Sequence, residues 1–395
     1  MTMGSRIKRR RLIFGYSLDD LKDKIAEAGH AISKSALSKY ELDKSIPNAT
    51  NLWYIARALD TSPDYFLRTS NIEVEWIAFR KKTTMSKKSE ELIGSLAKEH
   101  IEARLYLNDI LEKERGIQKI SKIDIGNIEQ AEEAAEQVRE EWGLGNWPIE
   151  SVTGLLENSG FFILEIEGVY NFDGLSGIAD NSLPVIVTIK NNPVDRKRFN
   201  LAHELGHLIL NTHNIDDEQA AFRFAAAFLA PRQILYKTIG TKRKNIDLRE
   251  LILIKEEYGI SIQALIKRCY DLQIISSNIY KTMNIFVRSR GFHRNEPGSC
   301  YHKEEPHIME GKLMRAIAEG YITESEVISR FPSLAHFISE RKSVFTDWLE
   351  KPGQERERML QTAAENAKEL YEANGSLADL EIVDDIWEYN GSKKR

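Results

Sequence analysis

The stretch Arg198-Phe199-Asn200-Leu201-Ala202-His203-Glu204-Leu205-Gly206-His207-Leu208-Ile209-Leu210 reads as a helix. Leu201, Leu205, Leu208 and Ile209 recur at helical spacing and make an apolar stripe that has to be buried. With about 3.6 residues per turn, His203 and His207 stand one above the other on a single face, where they can chelate one cation. The plainer reading is an amphipathic helix with two idle histidines, but imidazoles carried into a core without partners are costly. H-E-x-x-H is therefore read as two of the three ligands of a catalytic zinc. Glu204 is placed to take a proton from a water that the metal has acidified.

Two residues compete to be the third ligand. His213 stands at the spacing of H-E-x-x-H-x-x-G-x-x-H, but that pattern turns the chain on a glycine where this sequence has Leu210. Residues 216–230 read as a second helix, opened by Asp216 and Asp217 and ended before Pro231. Its first turn could bring the Glu218 carboxylate over the two imidazoles. A His-His-Glu set leaves a fourth position for water, the arrangement of a zinc peptidase.

RFNLAHELGHLIL, followed by E-x-x-A-x-x-F-A-A-x-x-L-x-P over residues 218–231, resembles the ImmA/IrrE family of metallo-endopeptidases. The resemblance implies that His203, His207 and Glu218 bind zinc, with manganese as the alternative, and that Glu204 is the general base. The family often has a second acid two residues after the carboxylate ligand. Here that position is Ala220, which faces away from Glu218 on a helix.

The chain has 395 residues, 42% hydrophobic and 29% charged with a net charge of −5, a composition that suits two or three soluble domains. No apolar run is long enough to span a bilayer, and the basic start at Arg6 turns acidic before a signal-peptide core can form. A cytoplasmic protein is expected. Cys269 and Cys300 are too few and too far apart for a disulfide framework or a zinc ribbon.

Residues 1–70 are expected to be a DNA-binding domain. Its first 68 residues hold twelve Lys and Arg against eight Asp and Glu, which concentrates basic charge at this end. Short helices are predicted over 6–14, 18–27 after a Ser17 cap, 34–42 after a Ser33 cap, 51–59 and 63–67. Ser-Lys-Ser-Ala-Leu-Ser-Lys-Tyr-Glu (33–41) with Pro47 after it resembles the recognition helix of the XRE-type helix-turn-helix family. The resemblance makes Lys34, Ser35, Ser38 and Lys39 the candidate contacts to duplex DNA, with Arg6–Arg11 available to hold the phosphate backbone. Two departures stand out: Leu18 replaces an early glutamine of the second helix, and Ala28-Gly29-His30-Ala31-Ile32 lengthens the turn.

Residues 71–125 are read as a helical linker. Val74-Glu75-Trp76-Ile77-Ala78-Phe79-Arg80 is a short ordered segment, and residues 86–114 form one long helix whose apolar stripe suits either a docked helix or a homodimer seam. Residues 126–275 are expected to be a zincin-like domain with β-runs at 161–166, 174–179 and 183–189, one of them an edge beside the zinc able to hold substrate by strand addition. Asp173-Gly174-Leu175-Ser176 and the segment 195–199 also look like family segments, with Arg198 a supporting or packing residue. Residues 276–395 read as a helical C-terminal region in which His293, His302 and His307 are solvated, and the acidic end is a helical cap or partner surface.

The fold class is thus mainly α with a small β-sheet (α+β). The expected function is a DNA-binding transcriptional regulator with zinc-dependent endopeptidase activity. The family resemblance implies a helix-turn-helix repressor as substrate, cleaved to relieve repression on a mobile element or in a stress response. The alternatives are a non-catalytic or antitoxin-like regulator that uses the zincin fold as a sensor, and a broad degradative peptidase.

Overall fold

In the computed structural model the chain divides into two compact units, Met1–Leu334 and Ala335–Arg395. The structure describes residues 2–68, 72–77, 87–111, 121–167, 172–180 and 182–338, with a few positions between 353 and 362. The acidic tail, and Ala78-Phe79-Arg80 of the linker segment, lie outside the described residues.

Five helices open the first unit: α1 (Met3–Ile13), α2 (Leu18–Glu27), α3 (Lys34–Glu41), α4 (Ala49–Ala58) and α5 (Pro63–Leu67). Ser17 caps α2 in a reciprocal capping box with Asp20, and Ser33 caps α3 by accepting the Ala36 N–H, so both starts are fixed by local chemistry. Ile7, Leu21, Ile25, Leu37, Ile55 and Phe66 close the core of this bundle. The long turn before α3 is held from outside: the His30 ring stacks on Tyr54 at 4.4 Å, and its Nε2 lies 2.8 Å from Asn51 Oδ1.

After β1 (Val74–Trp76) comes α6 (Lys87–Leu111), which packs along α1. Ile93, Ala97, Ile101 and Leu107 are buried, while Leu92, Leu96, Leu105 and Ile110 of the expected stripe are half-buried beside them, so the helix is docked inside the chain. The contact is also ionic. Glu102 pairs with Arg6 at 3.2 Å and Arg9 at 3.3 Å, while Glu99 accepts the Tyr65 hydroxyl at 3.2 Å and faces Arg10 at 4.0 Å. Arg11 makes a bidentate pair with Glu41 at 2.6 and 2.8 Å. Expecting Arg6–Arg11 to hold a phosphate backbone is therefore incorrect for four of its members. Arg6, Arg9, Arg10 and Arg11 are buried and engaged, because the carboxylates of α6 and α3 reach them first.

Then follow β2 (Ile123–Ile125), α7 (Ile128–Glu141), α8 (Val152–Asn158), β3 (Phe162–Ile166), β4 (Gly174–Ala179), β5 (Leu183–Ile189), α9 (Val194–Ile209), β6 (Leu210–Thr212) and α10 (Asp217–Leu229). The sheet order is β1-β4-β5-β3, with β3 parallel to β5 and the other two pairings antiparallel; β2 and β6 form a separate parallel pair. Both faces of β5 are buried, which accounts for its apolar run, interrupted only by Thr188. Helix α9 lies on β4 and β5, and α10 packs against α9 and α7. Leu210, expected to end the helix, instead leaves helical geometry (ψ 137°) and starts β6.

The remaining helices are α11 (Arg232–Thr238), α12 (Leu248–Tyr258), α13 (Ile262–Asp271), α14 (Ser277–Ser289), α15 (Ile308–Ala318) and α16 (Glu324–Arg330). Buried or half-buried acids hold this region together and tie it to α8 by accepting the N–H groups that helix starts leave unpaired. Glu296 accepts from Ile262 and Gln263 at α13, Glu304 from Val152 and Thr153 at α8, and Glu157 from His307 and Ile308 at α15. His293 and His307 are exposed as expected. His302 is not fully solvated, because it is half-buried beside Cys300, and burial lowers its pKa. Burial also pushes the Cys269 thiol up to about 12, which leaves it an inert core residue.

Candidate metal centre and DNA-binding surface

Gly206 determines how closely α10 can cross α9. A Cβ at Gly206 would lie 3.2 Å from Ala221 Cα and 3.3 Å from the Phe224 ring, so glycine and alanine at the crossing let the two backbones approach. Asp216 caps α10 by accepting the Gln219 N–H, and the first turn then carries Glu218 to the histidine face.

Three side chains converge there. The Nε2 atoms of His203 and His207 lie 3.1 Å apart, His203 Nε2 is 3.3 Å from Glu218 Oε2, and His207 Nε2 is 3.5 Å from Glu218 Oε1. A tetrahedron with metal–ligand bonds of about 2.0–2.1 Å has edges of about 3.3–3.4 Å, so these separations suit a zinc-sized ion. At most one proton can sit between two facing imidazole nitrogens, which makes the cluster a poor hydrogen-bonded core and a good chelate. Among the described residues this is the one group of three or more His, Cys, Asp and Glu side chains close enough to share an ion. Hydrogen bonding from the His203 and then the His207 imidazole holds the Glu218 carboxyl far below the usual carboxylate range. His213 is elsewhere: it is exposed, with Nε2 2.8 Å from Asp124 and 3.3 Å from Asn211.

Glu204 is buried beside β4. Its Oε2 accepts the Ser176 hydroxyl at 2.8 Å, and a Cβ on Gly174 would lie 2.8 Å from Oε1, so Gly174 leaves the space the carboxylate fills. Sequence reasoning assigned neither residue a role. Gly174, Ser176 and Ile178 share one face of the strand, and a polar side chain on that face carries no sign of the partner it meets. Phe222 was also missed. Its ring is 4.4 Å from His203 and yet largely exposed, so it forms an aromatic wall at the mouth of the site.

Residues 168–270 match the family model described as the IrrE N-terminal-like domain of Peptidase M78, and residues 7–66 match the helix-turn-helix model. The chain joins a helix-turn-helix to an ImmA/IrrE-type peptidase domain. No curated protein and no solved structure matches it. The helix-turn-helix match runs from α1 into α5, and the ImmA/IrrE-type match holds β4, α9 and α10 with every residue of the cluster. On α3, where the DNA contacts are expected, Lys34, Ser35 and Lys39 are exposed and Ser38 is half-buried. Lys34 Nζ lies 2.5 Å from Asp19 Oδ2 in an exposed pair, which is weak enough for a phosphate to replace. No described helix is long and apolar enough to cross a membrane.

Proposed function

We propose that the chain is a DNA-binding regulator whose second domain is a metal-dependent endopeptidase acting on a helix-turn-helix repressor. The observation that carries this reading is the meeting of His203, His207 and Glu218 on one side of α9, with Glu204 clamped by Ser176 beside them. Two imidazoles and a carboxylate suit zinc, with manganese the alternative. A divalent ion held there would supply Lewis acidity toward a peptide carbonyl and an acidified water. Glu204 takes the proton of the attacking water and delivers it to the leaving nitrogen. Ser176 fixes Oε2 so that the carboxylate needs no reorientation between the two transfers. Phe222 shields His203 from solvent. Tethering to DNA raises the effective concentration of the peptidase toward a repressor bound at the same operator, so selectivity need not come from the cleft alone.

The ligand assignment predicts that Glu218→Ala loses bound metal and His213→Ala keeps it, read by elemental analysis of the purified proteins. The opposite pattern would overturn the His-His-Glu site. For the DNA-binding half, Lys34→Ala with Lys39→Ala is expected to weaken operator binding. It should also reduce the slope of log affinity against log salt by up to about two, roughly one for each phosphate no longer neutralised. An unchanged slope would remove α3 from the interface.

A further inference from the structure

The outer edge of β4 is the seat for an extended substrate, and the chain's own residues 73–77 already occupy it; we propose that this segment competes with the substrate and has to leave before cleavage. The inference rests on the peptidase reading above and adds what the substrate must displace.

Ser176 and Gly174 of β4 touch Glu204, so a peptide cut beside Glu204 has to run along this strand. An extended backbone held in a cleft needs hydrogen-bond partners, and a strand edge supplies them. The inner edge of β4 is taken by β5. On the outer edge β1 runs antiparallel, with Val74 opposite Ala179, Glu75 opposite Ile178 and Trp76 opposite Gly177. Two further bonds lengthen the pairing: Asp180 N–H donates to the Glu73 carbonyl and Ile77 N–H to the Ser176 carbonyl, both at 2.9 Å. The second takes the backbone of the very residue whose hydroxyl holds Glu204.

β4 is shaped for this occupant. A Cβ on Gly177 would lie 2.6 Å from the Glu75 carbonyl and 2.8 Å from the Trp76 ring. Glu75 and Ile77 also line, with Lys122 and Ile178, a cavity of about 320 Å³ that reaches His207. A strand of three residues is nevertheless short enough to be displaced. The segment therefore indicates the partner's chemistry: an extended stretch with an acidic side chain near Lys122, an aliphatic one two residues later, and a residue between them that Gly177 accommodates.

The test uses the full chain carrying Glu204→Gln, so that no peptide is cut, with Val74→Cys and Ala179→Cys on opposed positions where a disulfide can lock β1 onto β4. The probe is a fluorescein-labelled peptide of sequence Ile-Glu-Val-Glu-Trp-Ile, and binding is read by anisotropy. The reduced form is expected to bind it at least about ten-fold more tightly than the oxidised form, since locking removes the competent population. Comparing two redox forms of one protein excludes a folding defect as the cause. Equal affinity in both forms overturns the proposal. The peptidase reading fails separately, if the reduced chain without Glu204→Gln binds this peptide yet leaves both the peptide and casein uncut with zinc or manganese present.

Discussion

Glu204→Gln is expected to keep its metal and to lose peptide cleavage by about 10²–10⁴-fold, the range that general acid–base catalysis contributes. Glutamine has the same shape as glutamate, and its carbonyl oxygen can still accept the Ser176 hydroxyl, so the clamp and the space left by Gly174 remain filled. The change removes a proton acceptor and no ligand, because the donors of the cluster belong to His203, His207 and Glu218. Operator binding should be unaffected, since α3 lies in the separate core closed by Ile7, Leu37 and Phe66. The measurement is one discrete cut in a helix-turn-helix repressor that shares the operator this chain binds, with zinc or manganese present, set against metal content and DNA affinity of the same preparations. Absence of any cut by the unchanged protein would favour the non-catalytic regulator, and equal cleavage by the two proteins would remove Glu204 as the base.

The parts of the site that a sequence shows are those set by local periodicity. The helical spacing of His203 and His207 and the acidic start of α10 are properties of a few consecutive residues, and the structure builds both helices. The strands at 174–179 and 183–189 were equally legible, because β-branched and small residues bounded by turns carry their own signal. What was hidden depends on distant partners. Whether Arg6 and Arg9 face solvent or a carboxylate is decided by Glu102 on another helix, and nothing in a run of basic residues reports that. β1 is only three residues long and owes its conformation to β4, so the linker stretch gives no hint that it completes the sheet. Ser176 looks like any serine in a strand until Glu204 is placed against it.

Arg198→Met is expected to destabilise the chain by about 3–5 kcal/mol, the loss seen when one member of a buried ion pair is removed. Its guanidinium is fully buried and 2.5 Å from Glu304, and it also donates to the carbonyls of Ile149 at 2.7 Å, Gly259 at 3.2 Å, and Glu150 and Tyr258 at 3.3 Å. Burial lowers the arginine pKa, yet guanidinium stays charged, so it is the partners that lose when it goes. Methionine fills much of the volume but satisfies none of them, and Glu304 is left as a buried carboxylate. The backbone is built around this side chain: Gly259 has φ +62°, and a Cβ there would lie 2.4 Å from Arg198 Nε. Arg198 thus ties α9, which carries His203 and His207, to the start of α8 and the end of α12, a packing role that uses no chemistry at the site. The check is urea unfolding followed by tryptophan fluorescence for Arg198→Met and for Arg198→Met with Glu304→Gln. The second change removes the stranded charge while glutamine still accepts the Val152 or Thr153 N–H, so the double variant should recover part of the loss. Losses that simply add would mean that the pair is not coupled and that the carbonyl contacts carry the effect.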